Sequence, residues 1–292
     1  MFYINKPSID YLTVTTYEPE VFNFWYDRFL VPGDETSEGN QSKFENYAGV
    51  KLDKEVGALF IGEGIQRKRQ HYLLYISSHL SEILFDGLVK MTPPLRQRER
   101  EGDITLNCTR LDIQCTIPSP DGWSQWNLQQ RLHDRGYLVW SSASMTKSKE
   151  FRTVYVGSTG SDRLIRIYQK LNDDDELFLR FEVQYRNNKA HGYAYQAFST
   201  IRQQGEIGKA GILHQELLNL RDSHLTDLFG PAIASQSDDP IKLKREYTRS
   251  MTTRNWLTGQ VLIALTRYVD QNPFDAELKD MFARVLFPPP EK

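Results

Sequence analysis

Alternation of polar and apolar residues, repeated in nine short segments, limits the possible folds of this chain more than any other feature. Successive side chains of a β-strand point to opposite faces, so a period of two is typical of strands with one buried face. The predicted strands cover residues 9–16, 44–52, 58–62, 71–77, 104–117, 137–141, 153–157, 164–171 and 177–185. We therefore predict a large, twisted, mainly antiparallel sheet.

Helical spacing interrupts the strands and then replaces them. Apolar residues three and four apart predict helices at residues 18–30, 80–91 and 124–135, and after about residue 190 at 193–203, 212–228, 253–270 and 276–287. The expected fold class is α+β, a large sheet with flanking helices and a helical C-terminal portion. We expect two domains, a β-rich one over residues 1–190 and a helical one over residues 191–292.

Composition fits a globular protein and excludes several classes. The chain has 292 residues, 39% hydrophobic and 25% charged, which is enough to bury a sizeable core. It has no apolar segment long enough to cross a bilayer and no signal-peptide pattern, so a cytoplasmic protein without membrane contact is expected. The net charge of -2 argues against a protein that coats nucleic acid, but local basic surfaces are present.

The two cysteines do not suggest a disulfide. Cys108 and Cys115 lie seven residues apart in one predicted strand, which places them on opposite faces by strict alternation. They are expected to be reduced, and no histidine nearby indicates a zinc site.

Three predicted strands place polar groups at every second position. One sheet face would carry all three sets, which are Arg110, Asp112 and Gln114; Arg166, Tyr168 and Lys170; and Arg180, Glu182 and Gln184. The first predicted strand adds a fourth carboxylate-bearing segment through Asp10.

This face has the groups needed for one reaction in particular. If the strands are neighbours, the carboxylates of Asp112 and Glu182, with Asp10 as a third, could hold Mg²⁺ or Mn²⁺ beside the Tyr168 hydroxyl. A tyrosine, carboxylates and arginines suit transesterification of a phosphodiester, in which the phenol attacks phosphorus.

The tyrosine itself is flanked by cations. An unperturbed tyrosine has a pKa near 10, so attack at neutral pH requires neighbouring charges that favour the phenolate. Arg166 and Lys170 are placed by the strand period to supply them, and we expect both to assist Tyr168.

Each pattern also has a structural explanation. Alternating charges occur on any half-exposed antiparallel sheet, and Tyr168 alone would be a packing residue with a hydrated hydroxyl. The Gly-Ser segment with Ser158 and Ser161 is either a tight turn or a cradle of backbone amides for phosphate. Trp123, Trp126 and Tyr185 are either packing residues or stacking surfaces for unpaired bases.

Taken together, the motifs resemble one family. The run from Tyr155 through Gly157 and Arg163 to Lys170 resembles the nucleophile motif of rolling-circle replication initiators of the staphylococcal tetracycline-resistance plasmid type, together with related phage initiators and relaxases of integrative elements. The segments at Asp112 and Glu182 resemble the two carboxylate strands of that family, in the same order.

The resemblance implies a metal-dependent DNA nickase and strand transferase. Tyr168 would attack the nick site and keep the 5′ phosphate, and Asp112, Glu182 and Asp10 would bind the metal. The 1–190 domain would nick DNA, and the helical portion would bind DNA or dimerise. The predicted DNA-contacting residues are Arg110, Arg180, Ser158, Ser161, Arg163, Lys242, Lys244 and Arg245.

Partners follow from the same resemblance. The DNA would be a replication or transfer origin, as a hairpin or single strand, and the protein would act as a homodimer that recruits a host helicase. The six histidines form no His-hydrophobe-His triplet, which leaves carboxylates to hold any metal. A conjugative relaxase of the same fold and a DNA-binding regulator without nicking activity remain as alternatives.

Overall fold

A computed structural model describes residues 4–30, 37–38, 47–54, 57–66, 69–89, 106–146, 149–172, 174–186, 192–237 and 239–244. The chain forms two compact units, Met1–Arg245 and Glu246–Lys292, and all described residues belong to the first. The helices predicted at 253–270 and 276–287 lie outside the described residues.

A ten-stranded antiparallel sheet forms the centre of the first unit. Its strand order is β2-β3-β4-β5-β1-β6-β10-β9-β8-β7. The strands are β1 (Ser8–Thr16), β2 (Ser37–Glu38), β3 (Tyr47–Lys54), β4 (Gly57–Gln66), β5 (Arg69–Ser77), β6 (Leu106–Pro118), β7 (Val139–Thr146), β8 (Lys149–Val156), β9 (Arg163–Leu171) and β10 (Leu177–Arg186). All nine predicted strands are present, and the α+β prediction is confirmed.

Six helices are described, and they pack against the sheet or against one another. They are α1 (Pro19–Phe29), α2 (His79–Val89), α3 (Gln125–Asp134), α4 (Tyr193–Gln204), α5 (Glu206–Asn219) and α6 (Ser223–Ala234). Helices α1 and α2 contact β1, β4 and β5, α3 contacts β7 and β8, and α4 to α6 contact β6. Among the described residues, no helix has both the length and the apolar composition needed to cross a membrane.

The described elements repeat one order. The run β1, α1, β2 to β5, α2 matches the run β6, α3, β7 to β10, α4, and the strand order is symmetric about the central β1–β6 pair. The sequence shows no repeat of fixed period, so the symmetry belongs to the topology alone. The polar sets predicted above all lie in the second run.

The division at residue 190 does not match the packing. Phe198, Leu213 and Phe229, from α4, α5 and α6, belong to the same buried cluster as the strand residues Leu111 and Phe181. These helices therefore complete the core of the sheet instead of forming a separate unit. The single helix predicted at 212–228 is also interrupted, because α5 ends at Asn219 and Asp222 caps α6.

The cysteine prediction was wrong about the faces. The β1–β6 pairing shifts between Thr13 and Val14, so that Thr109 is an extra residue on β6. This bulge turns Cys108 back to the core side, where Cys115 also lies, and both are free and buried. Seven residues of strand span about 20 Å, so the two thiols cannot pair. Burial raises the pKa of Cys115 to about 12.

Asp222 joins α6 to α3. Its carboxylate accepts hydrogen bonds from Leu225 N–H at 3.0 Å and from Arg131 Nε at 2.9 Å, and Arg135 Nη1 lies 3.2 Å away. Burial alone would raise the pKa of Asp222, but the Arg131 and Leu225 hydrogen bonds and the charges of Arg131 and Arg135 bring it below its usual value. The carboxylate is therefore stabilised in its charged form.

Asp222→Ala is expected to reduce the free energy of unfolding by about 2–3 kcal/mol, because it removes a helix cap and leaves two arginines without their acceptor. Asp222→Asn keeps the cap and should cost less. Because the folded-state pKa is depressed, this stabilisation is present above the unfolded pKa and is lost as pH falls through the folded pKa. Urea unfolding at neutral and acidic pH checks both statements; equal losses for the two variants would contradict the assignment.

Candidate active site

Three adjacent strands, β6, β10 and β9, bring the predicted polar sets onto one face. In the register of the sheet, Arg180 lies opposite Tyr168, Glu182 opposite Arg166, and Gln184 opposite Asp112. The apolar residues between them face the helices and form the core. Local alternation and strand pairing together produce a compact group of charged side chains.

Glu182 is the central acid of this group. It is fully buried, and its Oε2 accepts a hydrogen bond from the Tyr168 hydroxyl at 2.9 Å, while Arg166 Nη2 donates to Oε1. Burial raises the pKa of Glu182, Asp112 raises it further, and Arg166 and Arg180 act in the opposite sense. The acid therefore holds a proton more readily than a free glutamate does.

Tyr168 does not have the lowered pKa that its flanking cations predicted. Burial raises its pKa above the ordinary value, and the charges of Glu182 and Asp10 raise it further, while Arg180 and Arg166 act in the opposite sense without cancelling the rise. The phenol is consequently neutral at physiological pH, and its proton already lies on a bond to Glu182. Sequence reasoning considered the cations but not the burial of the hydroxyl.

Arg180 is the cation directly opposite the tyrosine. Its Nη1 donates to the Tyr168 hydroxyl at 3.4 Å and to Asp10 Oδ1 at 3.2 Å, and its Nε donates to Thr116 Oγ1 at 3.1 Å. The prediction assigned Arg180 to DNA contact and gave Lys170 the role beside the tyrosine. Lys170 lies on the same face, two residues after Tyr168 on β9, and it lies opposite Phe178 of β10.

Asp112 is fully buried and held by three polar side chains. Arg110 donates to both oxygens, at 3.0 Å and 2.6 Å, and Gln184 Nε2 donates to Oδ2 at 2.9 Å. Arg166 Nη2 lies 3.8 Å from the same Oδ2. One guanidinium nitrogen of Arg166 thus contacts both Asp112 and Glu182.

Two of the three predicted metal ligands are brought together. Asp112 and Glu182 offer hard oxygen donors of the kind that Mg²⁺ and Mn²⁺ prefer, and Arg166 contacts both carboxylates. Asp10 does not join them, because its carboxylate contacts Arg180. Within the described ranges, no group of three or more His, Cys, Asp and Glu side chains is placed to hold a metal.

The predicted Gly-Ser contact segment forms a tight turn. Ser161 Oγ donates to Ser158 O at 2.7 Å, Ser158 Oγ accepts from Gly160 N–H at 3.2 Å, and Gly157 has φ of 109°. Arg163, another predicted DNA contact, donates to Glu216 of α5 at 2.7 Å and stays a prediction. The hydrogen bonds of Ser158 and Ser161 are those of a tight turn, which is one of the two expected roles of the Gly-Ser segment.

Three more predicted DNA contacts lie at or beyond the end of the described part of the chain. Lys242 and Lys244 are exposed, and Arg245 lies outside the described residues. Of the three aromatic candidates, Tyr185 is buried and bonded to Glu216, Trp123 stacks on His224, and Trp126 is 66% exposed.

An aromatic pair that the sequence did not indicate lies beside the site. Trp140 and Tyr155 stack with ring centroids 3.8 Å apart, and Tyr155 lies opposite Arg166 across the β8–β9 pair. The two residues are neighbours because β7 and β8 pair as a hairpin in which Trp140 lies opposite Tyr155.

Comparison with known proteins supports the fold. No protein-family model and no curated protein matches the chain. The structure is similar to that of a rolling circle replication initiator protein from Geobacillus stearothermophilus, with a TM-score of 0.50 and 16% identity over 83% of this chain and 99% of that chain. A protein of the dynemicin biosynthetic locus matches with a TM-score of only 0.19 at 9% identity, over 78% of this chain and 98% of that chain. The chain thus shares the α+β fold of a replication initiator.

Proposed function

We propose that this protein initiates rolling-circle replication by nicking and rejoining single-stranded DNA through Tyr168. The observation that carries the proposal is the hydrogen bond of 2.9 Å from the Tyr168 hydroxyl to buried Glu182, with Arg180 and Arg166 beside it. The fold shared with a replication initiator agrees with it. A nucleophile bonded to a base, next to cations that can bind phosphate, is the arrangement this chemistry needs.

Glu182 would accept the proton of the nucleophile. Tyr168 Oη forms a bond to phosphorus, the bond from phosphorus to the 3′ oxygen breaks, and that oxygen leaves and takes a proton from water. The tyrosine proton passes to Glu182 Oε2, which lies within the distance required of a general base. The reverse attack by a 3′ hydroxyl restores the phosphodiester and frees the tyrosine.

Arg180 and Arg166 would bind the reacting phosphate. Both guanidiniums lie near the Tyr168 ring, with centroid distances of 5.9 Å and 5.8 Å. Positive charges fixed before the reaction stabilise the additional negative charge of the transition state without reorganisation. Arg180 is held by Thr116 and Asp10, which supports a fixed orientation.

We also propose that Asp112 and Glu182 hold Mg²⁺ or Mn²⁺. When bound, such a cation acts as a Lewis acid on a phosphate oxygen and neutralises charge on the leaving group. Arg166, which contacts both acids, would then exchange part of its carboxylate contact for contact with phosphate.

Formation of a covalent adduct tests the proposal. The purified protein is incubated with 5′-labelled or 3′-labelled single-stranded DNA libraries, and with supercoiled DNA, in Mg²⁺, Mn²⁺ or excess chelator, and then resolved on a denaturing gel. We expect an adduct with the DNA downstream of the cut, formed with metal and absent with chelator. DNA binding without an adduct on any substrate would favour the non-catalytic regulator.

The partners implied by the sequence resemblance remain proposals of the same kind. A homodimer should show twice the molar mass of one chain in light scattering, and a host helicase should unwind nicked DNA faster when this protein is present. A conjugative relaxase would use the same chemistry at a transfer origin, so the DNA sequence at the cut distinguishes these two roles.

A further inference from the structure

Arg186, at the end of β10, is a cation that has no role in the proposed nicking step. It lies directly opposite Arg110 in the register of β6 and β10. Like charges directly opposite each other destabilise a sheet unless another group compensates them. Burial lowers the pKa of Arg186, and the nearby guanidiniums of Arg110 and Arg166 lower it further, against the influence of Asp112.

Two hydrogen bonds fix the position of the Arg186 guanidinium. Nη1 donates to Thr159 O at 2.8 Å, in the Gly-Ser turn, and Nη2 donates to Gln184 Oε1. Gln184 in turn donates to Asp112 at 2.9 Å. The guanidinium is therefore held between the Gly-Ser turn and Gln184, and Gln184 links it to Asp112.

Two guanidinium N–H groups in this region lack an acceptor. Nε of Arg166 and Nε of Arg186 are buried and have no hydrogen-bond partner in the described part of the chain. An unmade hydrogen bond of a buried charged donor is costly, so a missing acceptor is expected. Arg166 remains 25% exposed and Arg110 22% exposed in their side chains, so solvent and ligand can reach the group.

Positive charge also exceeds negative charge on this face. In the described part of this face, four guanidiniums lie near three carboxylates. The guanidiniums are those of Arg110, Arg166, Arg180 and Arg186, and the carboxylates are those of Asp10, Asp112 and Glu182. An anion with several acceptor oxygens would satisfy both the excess charge and the free N–H groups. Phosphate has this chemistry, and arginine forks match its geometry.

We propose that Arg186 and Arg110 form a second phosphate subsite, which binds a backbone phosphate of the DNA strand a few nucleotides from the one attacked by Tyr168. Arg166 lies at the level of Glu182, between this subsite and Arg180. This inference rests on the proposed nicking function and assigns a further part of its substrate. Strand geometry places the Cα of Arg186 about 20 Å from that of Arg180, so the two subsites hold different phosphates of one strand. The strand would then run along β10, from Arg180 toward the Gly-Ser turn.

Salt dependence of binding measures this contact without relying on activity. Affinity of the full chain for single-stranded DNA is measured across a salt series for the parent, Arg186→Gln, Arg186→Lys and Arg28→Gln. Arg28 is an exposed residue of α1 and serves as the matched charge control. We expect Arg186→Gln to reduce the slope of log affinity against log salt by about 0.7, and Arg186→Lys and Arg28→Gln to keep the parental slope.

A scan with neutral methylphosphonate linkages locates the phosphate and does not depend on how well a variant folds. One flanking linkage, distinct from the cut, should weaken binding of the parent by about tenfold but leave Arg186→Gln unaffected. Equal slopes for parent and Arg186→Gln, or equal penalties at every linkage, would overturn the subsite alone if the parent still forms the covalent adduct. If the parent binds no single-stranded DNA and forms no adduct, the subsite and the proposed function both fail.

Discussion

Tyr168→Phe is expected to abolish covalent adduct formation, with a fall in rate of at least about 10⁴-fold. The substitution removes the nucleophilic oxygen and nothing else. Tyr168 lies at the centre of the face, where Glu182 and Arg180 both reach its hydroxyl. The rate of adduct formation in single turnover, with metal and excess protein, measures the effect.

The same variant should keep its fold and its affinity for DNA. It loses the hydrogen bond to Glu182 and the longer one from Arg180, together worth about 1–2 kcal/mol of stability. Tyr155→Phe is the matched control, because Tyr155 lies on the neighbouring strand and its hydroxyl bonds Ser142 at 3.2 Å. Equal adduct formation by Tyr168→Phe and the parent would show that another residue is the nucleophile.

Glu182→Gln is expected to lower the rate of adduct formation by about 10³-fold or more. The change removes the proton acceptor of Tyr168, worth about 10²–10⁴-fold, and one proposed metal ligand. Glutamine keeps the shape of the side chain, so the loss reports on charge more than on packing. Glu176→Gln, an exposed carboxylate in the β9–β10 connection, is the control.

The pH profile separates the role of Glu182 as a base from a structural role. Because its pKa is raised, Glu182 is protonated and inactive as a base at low pH, and the parental rate should rise as pH passes through this raised value and then level off. In Glu182→Gln the plateau should be lost, and the residual rate should increase tenfold per pH unit as the phenolate of Tyr168 forms. Identical profiles for the two proteins would rule out proton transfer to Glu182.

Much of the fold could be predicted because alternation is a local property. The alternating residues of a strand such as β10 indicate which of its faces is apolar. Helix caps such as Ser124 of α3 can be recognised from equally short segments. The same periodicity placed Asp112, Tyr168 and Glu182 on polar faces before their strands were known to be adjacent.

The details of the site depend on register, which the sequence does not contain. Arg180 lies opposite Tyr168 only because β9 and β10 pair as they do, and Arg186 lies opposite Arg110 for the same reason. Cys108 was misjudged because a bulge in the β1–β6 pair changes the faces of residues on either side, whereas Asp10 lies on the predicted face but contacts Arg180. A single extra residue reverses the alternation on which the prediction relied.

Burial of the site was the other missing quantity. The pKa of Tyr168 is decided by removal from water and by Glu182, both of which depend on tertiary structure. The first half of the sheet, β1 to β5, shows that the order of elements alone does not produce a charged site. On the equivalent strands its face carries an apolar cluster that includes Phe60, Leu73 and Tyr75, although the order of elements is the same.

The most direct measurement is identification of the residue that becomes linked to DNA. The adduct formed with a single-stranded oligonucleotide is digested with a protease and a nuclease, and the modified peptide is sequenced by mass spectrometry. We expect the nucleotide 5′ phosphate on the tyrosine of the segment Arg163–Leu171, that is, on Tyr168. A nucleotide on any other residue, or no linked peptide from a preparation that binds and cuts DNA, would contradict nicking through Tyr168.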